Sequence, residues 1–372
     1  MKIGIFGGAF NPPHTGHVYA AKKAIKNYKL DLLIVIPTGI SPHKNLPINT
    51  PDPQIRFIMT ENAFGDCENI EVSDIEINRP DISYTIDTVN AIKQKYPDNE
   101  LYLLVGTDMY ETLDTWKESD SLLKIVNPIL LPRDDVKISS SEIREMLPQR
   151  KGREFLSDSN YSFIIKNKLY NAKPSWDWLR EQAYSLLNPE RTTHVAACEI
   201  AAVQLAERWG VDEEEAREAA ILHDITKKLD FNENMCIIAK HGVTIGELDK
   251  GEEKLLHSIT GAILAKHEFG VSDKVADAIT GHTTGKPAMT MLDKIIYIAD
   301  YIESTRVFPG IEDLRKVAFE DINKAMIIGL TMTADDLKSR GITPNTATYE
   351  ALSDISGMAS GKEYFSDETD KQ

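Results

Sequence analysis

Residues 4–21, GIFGGAFNPPHTGHVYAA, run from an apolar strand through a Gly-Gly turn into a helix that opens on two histidines. Gly7 and Gly8 let backbone amides approach a ligand closely. The helix behind them offers unsatisfied N–H groups and the positive end of its dipole, a seat for phosphate. His14 and His17, three apart, share one face of its first turn. They can donate hydrogen bonds to phosphoryl oxygens as charge builds in a transition state. By itself, a Gly-Gly turn with two histidines is a common surface loop.

Outward from this stretch, LDLLIVIP (30–37) and ELYLLVGTD (100–108) read as further buried strands. Helical patterns, HTGHVYAAKKAIKNY (14–28) and YTIDTVNAIKQKYP (84–97), lie between them. Strand alternating with helix predicts a Rossmann-like α/β parallel sheet over residues 1–172. The character changes after NKLYNAKPSW, where Pro174 marks a linker at 173–178. Residues 179–360 carry helix signals only and predict an all-α bundle. Asn188-Pro189 starts one helix that closes on Gly210, Asp212 caps a pattern running to Leu229, and Ser272 caps another. The polar tail, 361–372, is expected to be disordered.

A formal charge of −16 argues against nucleic acid as a partner, so a phosphate-bearing ligand must be drawn by a local site. No apolar stretch approaches the roughly 18 residues of a membrane span, which argues against a membrane role. Three scattered cysteines form no framework and suit the cytoplasm.

The second half has its own chemistry-bearing residues. His194, the pair His223-Asp224, His257, His282 and Asp300 fall on successive helical patterns, each about one helix and a loop beyond the last. Consecutive helices of a bundle can project one ligand apiece inward. Asp300 borders the apolar stripe of MLDKIIYIADYIE, where a carboxylate is costly unless paired or metal-bound. His241 and His267 lie in polar surroundings and read as ordinary histidines. Lys227, one turn after His223, and Arg306, just past Asp300, are candidate phosphate grips.

The opening stretch resembles the G-x-F-(D/N)-P-x-H-x-G-H signature of the nucleotidyltransferase superfamily, and ISSSEIR (138–144) resembles its second motif. PTGISPHK (37–44), SYTIDTV (83–89) and GTDMYETLDTWKE (106–118) narrow the likeness to bacterial nicotinate-mononucleotide adenylyltransferases. The resemblance implies transfer of an adenylyl group from ATP, with Mg²⁺, onto nicotinate mononucleotide. It assigns catalysis to His14 and His17. The nucleotide and phosphate contacts fall to Gly7, Gly8, Phe10, Lys44, Gly106, Asp108, Arg133, Ser139, Ser140 and Arg144. Thr85 and Trp116 would line the pyridine pocket, Trp116 as a stacking face. The chain departs from the family in having only Asp134 to Lys137 between Arg133 and Ile138, where the family carries a further strand.

The order H…HD…H…H…D resembles the HD-domain metal phosphohydrolases. ILHDITK (221–227), LLHSITGA (255–262) and GHTTGKPAMTMLDKIIYIADYIESTR (281–306) look like the branch that splits diadenosine tetraphosphate symmetrically. By that analogy His194, His223, Asp224 and Asp300 hold one metal ion, and His257, His282 and a bridging Asp224 hold a second. Asp224 and Lys227 take catalytic roles, and Arg306 grips substrate. Imidazole and carboxylate without thiolate suit iron first, or manganese or zinc. Together the halves imply a bifunctional enzyme acting on ATP, nicotinate mononucleotide and diadenosine tetraphosphate or a related nucleotide, with a homo-oligomer among the expected assemblies. The alternatives give the second half another nucleotide substrate, or make it a non-catalytic nucleotide-binding regulator.

Overall fold

The computed structural model describes residues 1–40, 47, 49–131, 138–245 and 252–357. Lys44, Arg133, the short segment after Arg133 and the polar tail lie outside the described residues. The chain divides into two compact units between Ser175 and Trp176.

The first unit is a five-stranded parallel sheet in the order β3-β2-β1-β4-β5. Its strands are β1 (Lys2–Gly8), β2 (Leu32–Pro37), β3 (Ile70–Val72), β4 (Glu100–Gly106) and β5 (Val126–Leu131). The helices are α1 (Thr15–Tyr28), α2 (Pro53–Phe64), α3 (Thr85–Lys95), α4 (Thr107–Tyr110), α5 (Ser119–Ile125), α6 (Ser140–Met146) and α7 (Asp158–Lys166). Alternation along the central strand feeds two cores, as a strand covered on both faces requires. Ile3 and Ile5 pack with Val89, Ile92 and Leu122 on one face. Phe6 packs with Phe10, Ala21, Ala24 and Phe64 on the other. The reading of the sequence named β1, β2 and β4. It passed over β3, three residues long, and β5, an edge strand interrupted by Asn127 and Pro128.

The second unit is helical: α8 (Trp176–Ser185), α9 (Pro189–Trp209), α10 (Glu213–Leu222), α11 (Phe231–Lys240), α12 (Leu256–Glu268), α13 (Asp273–Gly281) and α14 (Met291–Ile302). After them come α15 (Ile311–Glu320), α16 (Ile322–Ser339) and α17 (Thr346–Ile355). Trp176, Asp177 and Trp178, expected in the linker, form the first turn of α8, and Trp178 is buried. The caps fall where the sequence signals them: Asn188, Asp212 and Ser272 each accept a first-turn amide, and Gly210 takes a left-handed φ of 67°. The helix begun at Asp212 does not reach Leu229. It stops at Leu222, and residues 223–228 form turns. The break has a cause: Thr226 Oγ1 donates to the His257 carbonyl at 2.8 Å, and Asp224 is drawn inward to 1% exposure.

Candidate functional site

In the first unit the site forms at the carboxyl ends of β1 and β4, where parallel sheets leave a crevice for ligands. A cleft of about 1220 Å³ brings together Gly7, Gly8, Phe10, His14, His17, Gly106, Asp108, Ser139, Ser140 and Arg144. Gly7 faces open space, with nothing within 4 Å of where a Cβ would stand. Gly8 lies under the Phe10 ring, which a Cβ would meet at 3.1 Å. His14 is the N-cap of α1, and its amide donates to His17 Nδ1 at 3.2 Å. The two imidazoles sit 3.7 Å apart between centroids, close enough to address one phosphoryl group together. Burial pulls the His14 pKa down to about 4 against the pull of Glu142, leaving it neutral at pH 7.

The two nucleotidyltransferase-like motifs, far apart in sequence, are tied by direct bonds. Ser140 Oγ donates to the Pro12 carbonyl at 2.8 Å, and Arg144 Nη1 to the Asn11 carbonyl at 2.6 Å. Ser139 caps α6 and closes a reciprocal box with Glu142. Thr85, at the start of α3, and Trp116, packed on the sheet core, are not among the residues lining this cleft.

Three residues supporting this loop had no role in the sequence reading. Arg56 is 1% exposed and donates to the carbonyls of Ala9 (2.8 Å) and Thr38 (2.6 Å), holding the loops after β1 and β2. Asn11 accepts from the Tyr170 hydroxyl at 2.7 Å and donates to Thr50 Oγ1 at 3.0 Å. An arginine inside the helical pattern of α2 reads as a surface cation, so no local signal marks Arg56.

In the second unit all six expected ligands converge. Three overlapping groups, His194–His223–Asp224, His223–His282–Asp300 and Asp224–His257–His282, have ligand atoms within 4.8 Å of one another. Only His194, His257 and Asp300 project from helices, α9, α12 and α14. His223, Asp224 and His282 come from the turns just past α10 and α13, which corrects the one-ligand-per-helix picture. The two oxygens of Asp224 face different partners. Oδ2 lies 3.4 Å from His223 Nε2 and 3.9 Å from His194 Nε2. Oδ1 lies 3.2 Å from His257 Nε2 and 3.5 Å from His282 Nε2.

The protonation pattern fits metal ions. His223, His257 and His282 place Nδ1 at 2.6–2.7 Å from the carbonyls of Ala220, Lys254 and Ile279. A carbonyl only accepts, so Nδ1 carries a proton, and Nε2 is the nitrogen turned to the cluster, where in the neutral ring it offers its lone pair to a cation. His194 Nδ1 faces Glu303 Oε1 at 3.1 Å, with the same consequence. The buried atoms His194 Nε2, His223 Nε2 and Asp224 Oδ1 make no hydrogen bond, although neighbours stand close. Acceptors crowded without donors cost several kcal/mol unless a cation is shared among them. Protein cations ring the cluster: Arg191 Nη1 stands 2.8 Å from Asp224 Oδ2, Arg306 Nη2 2.5 Å from Asp300 Oδ1, and Lys227 Nζ 3.0 Å from His257 Nε2. His241 and His267 stack on each other, 4.3 Å between centroids, outside those three groups. Arg191 and Glu303 went unread, although each stands three residues from an expected ligand, on its helical face.

No helix among the described residues is long and apolar enough to cross a membrane. The family described as Cytidylyltransferase-like matches residues 5–146, and the HD domain family matches residues 191–305. A "probable nicotinate-nucleotide adenylyltransferase/Ap4A hydrolase" of Mycoplasma genitalium is 30% identical over 358 residues, covering 89% of this chain and 97% of that relative. Single-activity relatives match each half. A "probable nicotinate-nucleotide adenylyltransferase" of Gemmatimonas aurantiaca is 33% identical, over 47% of this chain and 94% of its own length. A "Bis(5'-nucleosyl)-tetraphosphatase, symmetrical" of Bacillus subtilis is 41% identical, over 45% of this chain and 91% of its own. With one relative aligned across almost its whole length and each half matched separately, the chain belongs to the family of fused nicotinate-nucleotide adenylyltransferase/Ap4A hydrolases.

Proposed function

We propose that the chain is a bifunctional cytoplasmic enzyme with one reaction in each of two domains, residues 1–172 and 179–360. The first domain joins the adenylyl group of ATP to nicotinate mononucleotide and releases pyrophosphate, with Mg²⁺ accompanying the nucleotide. The second splits diadenosine tetraphosphate with water into two ADP.

In the first reaction the mononucleotide phosphate attacks the α-phosphorus of ATP and needs no activating base. Catalysis is positioning and charge neutralisation. The amides opening α1 and the imidazoles of His14 and His17 receive the phosphoryl oxygens. Ser139, Ser140 and Arg144 hold the triphosphate.

In the second domain, two divalent ions supply charge neutralisation and a water of lowered pKa when bound. His194, His223, Asp224 and Asp300 would hold one, and Asp224, His257 and His282 the other, with iron first and manganese or zinc as substitutes. Lys227 and Arg306 turn positive charge toward the phosphates. The observation that carries this reading is the division of Asp224, one oxygen toward each histidine set.

The test is product analysis with the metal-loaded chain. Diadenosine tetraphosphate should yield ADP alone, and Asp224→Ala should abolish that reaction while nicotinate adenine dinucleotide still forms. A purified chain with negligible affinity for any divalent ion would favour the regulator alternative.

A further inference from the structure

The four imidazoles of the cluster are not held alike. His223, His257 and His282 each rely on the carbonyl three residues earlier. His194 stands within α9, where the backbone carbonyls serve the helix, and relies on Glu303, 109 residues away. Glu303 is 1% exposed, at the end of α14. Thr305 holds both oxygens: its hydroxyl donates at 2.6 Å to Oε1, the atom His194 faces, and its amide to Oε2 at 2.6 Å. Arg306 Nε adds a cation 3.6 Å from Oε1, so the carboxylate is held from several sides in one orientation, with Oε1 toward His194.

A carboxylate behind an imidazole does more than a carbonyl does. It fixes the tautomer and ring angle, and its charge raises the basicity of the far nitrogen. His194 Nε2 in turn points at Asp300 Oδ1, 3.1 Å away, and lies on the Oδ2 side of Asp224. Among the described residues, the hydrogen bonds of the Glu303 carboxylate run to His194 and Thr305, and those of His257 and His282 to other partners. We propose that Glu303 is a positioning residue that prepares His194 for the ion on its side of the cluster, leaving the ion of the His257–His282 side independent of it. This rests on the metal-dependent reading of the second domain.

The experiment titrates the full chain, freed of metal by chelation, with Mn²⁺, following free and bound ion by electron paramagnetic resonance. The wild type should bind two ions per chain. Glu303→Ala should weaken one of them about 10–100-fold, the cost usual for such partners, with the other unchanged within twofold. The variant at intermediate Mn²⁺ should show an uncoupled signal. Glu303→Gln, which can still accept from Nδ1 but has no charge, should fall between wild type and Glu303→Ala. Equal weakening of both ions, as a general disruption of the fold gives, or two unchanged affinities would overturn the proposal. A wild-type chain that binds no Mn²⁺ would instead remove the metal-dependent reading itself, so the two failures are distinct.

Discussion

His257 Nε2 and His282 Nε2 face each other at 3.2 Å, and each ring has its other nitrogen committed to a backbone carbonyl. Two lone pairs at that distance repel, and the Lys227 ammonium, 3.0 Å from His257 Nε2, offsets part of that repulsion. Protonation is disfavoured at His282, whose pKa burial pulls down to about 4, with His223 and His257 adding to the effect. A divalent ion shared by these nitrogens would relieve the rest of the repulsion.

Removing bound metal should lower the melting temperature of the helical unit. An ion present at one hundred times its Kd stabilises the native state by about 2.7 kcal/mol. For a domain of this size that is a shift of about 5–10 °C. Calorimetry before and after chelation, with Mn²⁺ added back, measures it. Identical melting curves would show that the histidines need no ion.

Arg144→Ala should cripple dinucleotide synthesis and spare the hydrolase. The guanidinium both binds the Asn11 carbonyl and faces the cleft. Charge-assisted bonds of this kind contribute about 1.5–3 kcal/mol, so kcat/KM for ATP should fall about 10–100-fold. Steady-state kinetics on both reactions decides, and a parallel loss of ADP formation would contradict the separation.

The first unit should lose stability as the pH falls from about 6.5 toward 4. His14 is depressed to about 4 from the ordinary 6.5, chiefly by burial, so between these values the unfolded chain binds a proton that the native chain does not. Stability is therefore full above 6.5, declines as pH drops, and levels off below 4. The loss is at most about 3.4 kcal/mol at about 1.36 kcal/mol per unit. Urea denaturation of wild type and His14→Asn across this range should show the extra slope in the wild type alone.

Arg56→Met should destabilise the first unit by about 2–5 kcal/mol, since the carbonyls of Ala9 and Thr38 lose buried donors. Because those carbonyls belong to the loops bordering the cleft, the KM for ATP should rise as well. A stable variant with unchanged KM would show that the guanidinium merely fills space.

Legibility followed locality. The central strands and most helix caps were visible because alternation, Asp and Ser at N-caps and Gly210 act within a few residues. The end of α10 was hidden because a long-range bond from Thr226 to His257 decides it, and nothing in AAILHDITKK announces that bond. The six ligands were readable as residue types in order. Their convergence through turns, and the support of Arg56, Tyr170 and Glu303, depended on tertiary partners. Thr85 and Trp116 were assigned to a pocket by resemblance alone, and Trp116 stands partly buried against the sheet core.

The three histidines that lean on the carbonyl three residues back form a unit complete in itself. His223 and His282 stand at the C-terminal ends of α10 and α13, and His257 follows the short 3-10 turn that leads into α12, places where a backbone carbonyl is spare. A helix end carrying one histidine in that rotamer is thus a portable ligand, movable to another bundle with only its own last turn. His194 is different in kind: grafting it would require carrying a distant glutamate and threonine along. Drift in the surrounding sequence should therefore erode the His194 corner of this site before it reaches the other three.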